Sequence, residues 1–276
     1  LMIAIPSHAF TSNYSRDELH NTVRGIRERR QLLIERSPSE GGGFVEDQEI
    51  ATCWAHSLGA SREAHRFLSL AVDLCACTFA AANATSDTIE FEFDGQLLQG
   101  PSAGTRKYAY AHNLYVGLLY GTALKKTRQV ETLLAHDANA HFPGGNPNGF
   151  RVALARGMSA WLKNEQGWKE HFEHARVLTA PENLRDYSLS EVQVYTSIIP
   201  VIHAIDAGSQ KAFTDAVVNA VKAHKKHFGR GARSKQGTSV LAIHASCAAA
   251  IGVQRGLEFE VDSSSAPRWL VEGALP

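Results

Sequence analysis

Residues 206–228 read D-A-G-S-Q-K-A-F-T-D-A-V-V-N-A-V-K-A-H-K-K-H-F, and the fold class turns on them. Phe213, Ala216, Val217, Ala220, Val221, His224 and Phe228 recur at three- and four-residue steps, the period of one helix face. This spacing predicts an amphipathic helix from near Ser209 to a stop at Gly229. After a polar, Gly-containing loop, residues 238–253 carry Val240, Leu241, Ala242, Ile243, Ala245, Cys247, Ala248, Ala249, Ala250 and Ile251 with almost no polar side. A surface helix does not tolerate that composition, so a buried central helix is expected. Residues 257–262, L-E-F-E-V-D, alternate strictly and predict a strand. The outcome is an all-α dominated fold, a helical bundle or stack of helix pairs, with a small antiparallel β-sheet.

Working outward, the 276 residues are 44% apolar and 20% charged, which places the chain among ordinary globular proteins. Lys plus Arg and Asp plus Glu each count 28, so no net field argues for nucleic acid or for an anionic membrane. The charges are segregated, however. No acid lies between Asp215 and Glu258, where Lys222, Lys225, Lys226, Arg230, Arg233, Lys235 and Arg255 all fall. Acids gather instead at Asp87, Glu90, Glu92 and Asp94, and again at Glu258, Glu260 and Asp262. No apolar run is read as reaching the roughly 18 to 20 residues that span a bilayer, and the first ten residues lack the basic start and the apolar length of a signal peptide. Cys53, Cys75, Cys77 and Cys247 sit in apolar helical context. Cys75 and Cys77 point to nearly opposite sides of a helix, so four buried thiols in a reducing compartment, the cytoplasm, are expected.

Ser15-Arg-Asp-Glu18 is a capping-box pattern for a helix running to about Arg36. Pro38 and Gly41-Gly42-Gly43 end it in what composition suggests is a flexible connector. Helices are expected over 46–58 and from Ser61 onward, the second with Ala64, Phe67, Leu68, Ala71, Val72, Cys75, Phe79 and Ala82 on a core face. Residues 88–99 alternate on either side of Asp94-Gly95, a dipeptide that favours a type I′ turn, and so predict a hairpin. A lone hairpin is marginal in water, which suggests that 257–262 joins it as a third strand. Helices follow over 105–125 and 127–135. The H-F-P-G-G-N-P-N-G cluster of 141–149 is the natural boundary between two halves of a single domain covering 1–276. Beyond it lie a helix pair, 152–162 and 168–178, and two more capping boxes, Thr179-Ala-Pro-Glu182 and Ser188-Leu-Ser-Glu191. The second opens a helix that Pro200 should kink.

Chemistry-bearing patterns are sparse. The chain has thirteen histidines, and His171/His174 and His224/His227 are each three apart, a spacing that permits shared metal coordination. Neither pair has the H-E-x-x-H of a zinc protease. One buried, hydrogen-bonded histidine and several at the surface is the favoured reading over a metal site. No phosphate-binding glycine loop or nucleophile elbow stands where a strand meets a helix. No catalytic residue, metal ligand or cofactor is therefore assigned. If the strands pair as suggested, Glu90, Glu92, Glu258 and Glu260 crowd one face, an arrangement needing either internal Arg and Lys or a basic partner.

Several residues of the C-terminal half carry a resemblance. They are Asp206 with Ala212-Phe213; Ala220, Lys222, His224 and Phe228; Leu241-Ala242; Gly252; and Val261-Asp262-Ser263-Ser264-Ser265-Ala266-Pro267. In this order they resemble the immunity protein 49 family of bacterial polymorphic-toxin systems. The chain departs from that family's ending at Ser264 and Ser265, where an Asp and a Tyr are expected. The resemblance implies a mostly helical, non-enzymatic protein that binds a cognate protein toxin and blocks its active site or substrate groove. No cofactor is expected, nor, from the balanced charge and the short apolar runs, a nucleic acid or membrane partner, and the oligomeric state is left open. The surfaces to test are the acidic strand face, Glu90, Glu92, Glu258 and Glu260, and the rim of His224, His227, Arg230 and Arg233. A metal-dependent hydrolase using the paired histidines, or a helical scaffold, are the alternatives from other classes.

Overall fold

The protein is described here from a computed structural model covering residues 2–6, 16–102, 108–142, 149–184, 188–229, 233 and 237–275. Ser15 of the first capping box, residues 143–148 of the breaker cluster and Arg230 lie outside these described residues. Two compact units are formed, each by separate stretches of chain. The first comprises Leu1–Asn13, Thr52–His65 and Arg176–Pro276; the second comprises Tyr14–Ala51 and Arg66–Ala175.

The second unit contains α1 (Arg16–Glu35), the start of α2 (Val45–Ser57), most of α3 (Ser61–Asn83), α4 (Ala111–Ala123), α5 (Thr127–Leu134), α6 (Phe150–Leu162) and most of α7 (Trp168–Leu178). The helices on either side of the breaker cluster, α5 and α6, belong to this same unit. All the α3 residues assigned to a core face are buried. By length and composition α3 could cross a membrane, but most of its apolar window is buried within the fold. The strands β2 (Thr88–Phe93) and β3 (Gln96–Pro101) pair antiparallel. Asp94 at φ 53° and Gly95 at φ 72° both occupy the left-handed region that a type I′ turn requires.

The triple glycine is not a loose connector. Residues 38–44 form a 3-10 turn in which Gly41 and Gly42 are buried. A Cβ on Gly41 would meet Cys77 Sγ at 2.8 Å, and one on Gly42 would meet the Tyr108 carbonyl at 2.5 Å. Glycine is there because backbone must approach backbone. Of the helix expected from 105, residues 105–107 lie outside the described residues, residues 108–110 are not helical, and α4 starts at Ala111 after extended Tyr110.

The first unit contains α8 (Leu189–Thr196), α9 (Ile198–Asp206), α10 (Gln210–Phe228), α11 (Ile243–Gln254) and α12 (Arg268–Val271). Ser209 caps α10 by accepting from the Ala212 amide at 3.4 Å, and Gly229 ends it, as the periodicity predicts. Phe213, Ala216, Val217, Ala220, Val221 and His224 form its buried face. The buried helix is α11, shorter than expected because Leu241 and Ala242 enter the core in non-helical backbone. Ser188 caps α8 by accepting from Glu191 N at 3.3 Å. The kink expected at Pro200 is a full break at Ser197, since the proline has no N–H to offer the Thr196 carbonyl. Thr179 does not open a helix. Its hydroxyl donates to the Arg176 carbonyl at 3.1 Å, and only a short 3-10 turn, Pro181–Asn183, follows.

The third-strand expectation is overturned. Strand β4 is only Val261–Asp262 and pairs in parallel with β1 (Ile3–Ala4), leaving the hairpin as a separate two-stranded sheet. The fold class stands: helices dominate, and the sheets are small.

Candidate functional site

On the hairpin, Phe91 and Phe93 are buried, so Glu90 and Glu92 lie on the opposite face with Leu97, which is 52% exposed. Much of the acidic charge is matched within the unit. Arg128 Nη2 donates to Glu90 Oε1 at 2.8 Å, and Arg66 grips Asp94 through both carboxylate oxygens, at 3.0 and 2.6 Å. The turn is fixed from below. Asp73 of α3, fully buried, accepts from the Asp94 amide and from Gln129 Nε2, each at 3.0 Å, and from Lys126 Nζ. Burial raises the Asp73 carboxyl to about 6 even though the Lys126 ammonium pulls it down.

The other half of the expected carboxylate row, Glu258 and Glu260, precedes β4, which belongs to a different sheet from the hairpin, so the four-carboxylate face is not formed by strand pairing. Between 258 and 262 the alternation itself is kept: Phe259 and Val261 are buried, while Glu258 and Asp262 are exposed. What replaces a neighbouring strand is Gln210, at the start of α10. Its Oε1 accepts from Glu258 N at 2.8 Å and its Nε2 donates to Glu258 O at 2.9 Å, the pair of bonds a strand would make. The Thr214 hydroxyl donates to Glu260 Oε2 at 2.9 Å and holds that carboxyl below its ordinary range. Glu260 thus has a local structural role.

Two of the rim residues are internal. His224 is buried and its Nε2 meets the Ser239 carbonyl at 3.0 Å; His227 is buried and its Nδ1 meets Ser190 Oγ at 3.0 Å. The two rings therefore tie different segments to α10, the 3-10 turn that ends at Ser239 and the first turn of α8, and do not converge on one ligand. Burial lowers the His227 pKa, with Arg233 adding to the effect. Arg233 is exposed, and its Nη1 reaches Ser190 Oγ at 3.5 Å. Among the described residues no group of three His, Cys, Asp or Glu could hold a metal ion.

Around these histidines the surface is basic. Lys222 and Lys226 are exposed, and neither is matched by a carboxylate among the described residues. At the other end of the same helix Lys211 pairs with Asp215 at 2.6 Å. The helix dipole accounts for cations in the last turn, each worth roughly 0.3–1 kcal/mol. Lys222 lies before that turn and one turn from Lys226, where like charges cost roughly 0.2–0.5 kcal/mol.

Besides Asp73, sequence reasoning missed a buried polar pair at Glu49 and a part-buried cluster at His56. The Tyr120 hydroxyl donates to Glu49 Oε1 at 2.6 Å, and burial raises Glu49 to about 7. In the first unit His56 Nε2 donates to the Ser264 carbonyl at 2.8 Å, while its Nδ1 accepts from Trp269 Nε1 at 3.3 Å. Accepting at Nδ1 while donating at Nε2 needs the neutral Nε2–H tautomer, and burial lowers the His56 pKa against the opposing pull of the Ser264 carbonyl. His56 carried the signal of a lone ionisable residue in an apolar run, A-T-C-W-A-H, as Asp73 does in L-A-V-D-L-C, whereas Glu49 sits in the charged run V-E-D-Q-E and carried none.

A scan of protein-family models matches residues 59–270 to Immunity protein 49, abbreviated Imm49. No curated protein and no solved structure matched the chain. The matched span holds α10, α11, the hairpin and the residues through Pro267 that carried the resemblance, and it covers most of the 276 residues. The chain belongs to the immunity protein 49 family.

Proposed function

We propose that this protein protects its producer by binding a cognate toxin of a polymorphic-toxin system, acting without catalysis of its own. The family match over residues 59–270 is the observation that carries the reading. A binder of this kind needs a surface that exists before encounter, since ordering loops on contact subtracts from affinity. The network at Asp73 and the two histidine ties on α10 support such pre-organisation, because they hold the hairpin turn, a 3-10 turn and α8 to other helices through buried and part-buried hydrogen bonds. Blocking follows from occupation: a protein seated over the toxin's active site or substrate groove excludes the substrate. Charge on the two surfaces would set the rate of encounter and discriminate among partners. Four buried free thiols support a cytoplasmic place of action, where thiols stay reduced.

Co-expression tests the proposal. Cells producing the protein encoded by the adjacent gene should die, should survive when this chain is co-expressed, and should yield a complex on purification. A toxic neighbour that is not rescued would refute the proposal.

A further inference from the structure

We infer that the toxin docks on the basic C-terminal end of α10, around Lys222, Lys226 and Arg233, and that it presents an acidic face there. This rests on the toxin-binding reading above and gives it a location and a partner chemistry.

Three surface features compete for the role. The hairpin has the densest acidic sequence, but Arg128 and Arg66 already occupy Glu90 and Asp94. The exposed Met2 and Ile3 beside β4 lie outside residues 59–270, the part of the chain that is shared with the family. The end of α10 lies inside that span, and among the described residues neither Lys222 nor Lys226 has a carboxylate partner. Asp215, Asn219, Lys222 and Lys226 follow one another at steps of four, three and four along an exposed stripe of the helix. The stripe begins with the Lys211–Asp215 pair and ends in two lysines with no carboxylate among the described residues. Residues 216–257 contain no Asp or Glu, and the carboxylate whose charge does reach this end, Glu191 of α8, acts on His227. Exposed Arg233 comes to the same end of α10 through Ser190, which also meets His227.

The platform beneath these cations is firm. His224 and His227 are buried, each tied to an oxygen of another segment, and Phe228 packs against both rings with centroids 4.6 and 4.5 Å away. Like charges one turn apart on a rigid helix are unfavourable in the free protein. An opposing acidic face relieves that repulsion, so the arrangement favours the bound state and speeds encounter.

The test measures association of purified protein with the neighbouring gene's product at low and at high salt. The variants are Lys222→Glu/Lys226→Glu and the milder Lys222→Gln/Lys226→Gln, both with an unchanged circular-dichroism spectrum. We expect at least about tenfold weaker binding for the reversal, mainly through slower association, and a shallower salt dependence for both variants. Wild-type binding with unchanged affinity in both variants would overturn the location and leave the immunity reading standing. Absence of wild-type binding would overturn both. If the variants instead lose binding to a fluorescent single-stranded oligonucleotide and keep the protein partner, the surface is for nucleic acid and the inference falls.

Discussion

Two nearly identical runs of sequence, E-F-E-F at 90–93 and E-F-E-V at 258–261, end in different structures. The first is a six-residue antiparallel ladder closed by a turn; the second touches its parallel partner over only two residues. Alternation sets which side chains are buried and succeeds in both places: Phe91, Phe93, Phe259 and Val261 are all inside. It does not set the partner. At the hairpin, Asp94-Gly95 folds the next six residues back at once, and Asp73 holds the turn. The C-terminal run has no such turn, so it is completed by Ile3–Ala4 and by the side chain of Gln210.

The comparison breaks hardest at Asp73. Asp73→Ala would leave the Lys126 ammonium mostly buried without its carboxylate and the Asp94 amide without its acceptor. A loss of about 3–5 kcal/mol is expected in denaturant unfolding. A loss confined to a fraction of a kcal/mol would mean that the hairpin holds itself.

The two regions should also respond to acid with opposite signs. Asp73 has a folded-state pKa raised from 3.8 to about 6, so between those values the folded chain holds more proton than the unfolded one. Its contribution to stability therefore falls as pH rises from about 4 to 6, by roughly 2–3 kcal/mol. Glu260 is lowered by the Thr214 hydroxyl, so its contribution is present above the ordinary carboxylate range and is lost as pH falls. Melting temperatures of Asp73→Asn and Glu260→Gln across pH 3.5 to 7 would separate the two; the substitutions should change the slope of stability with pH in opposite directions.

Gln210→Ala removes both bonds to the Glu258 backbone and should cost about 1–3 kcal/mol, with faster hydrogen exchange confined to the amide of Glu258 and its neighbours. The smallest effect is expected at Arg128→Ala. Its ion pair with Glu90 is more than half exposed on both sides, and about 0.2–1 kcal/mol is the usual range for such pairs.

Most helices and the hairpin were legible because their signals are local: the period of α10, the caps at Ser188 and Ser209, and the Asp-Gly turn. The partner of β4 was not, because Ile3–Ala4 is too short to leave a pattern and lies more than 250 positions away. Nor was the close packing of Gly41 and Gly42, which depends on where α3 and Tyr108 pass. For the candidate surfaces, sequence gave the sign of each charge but not its compensation. Nothing local foretells that Arg128 reaches Glu90, or that Glu260 bonds Thr214, or that His224 and His227 turn inward. Arg233 is the described member of the expected rim that remains exposed, and the lysines beside the histidines had the stronger claim.

Neutralisation by occupation and neutralisation by catalysis differ in stoichiometry. The decisive measurement titrates the toxic activity of the neighbouring gene's product with this protein, both purified, at concentrations well above their dissociation constant. The account predicts a linear decline to zero at a fixed molar ratio near equivalence, with activity recovered when the complex is dissociated. Complete and lasting inactivation by a small fraction of an equivalent would contradict it.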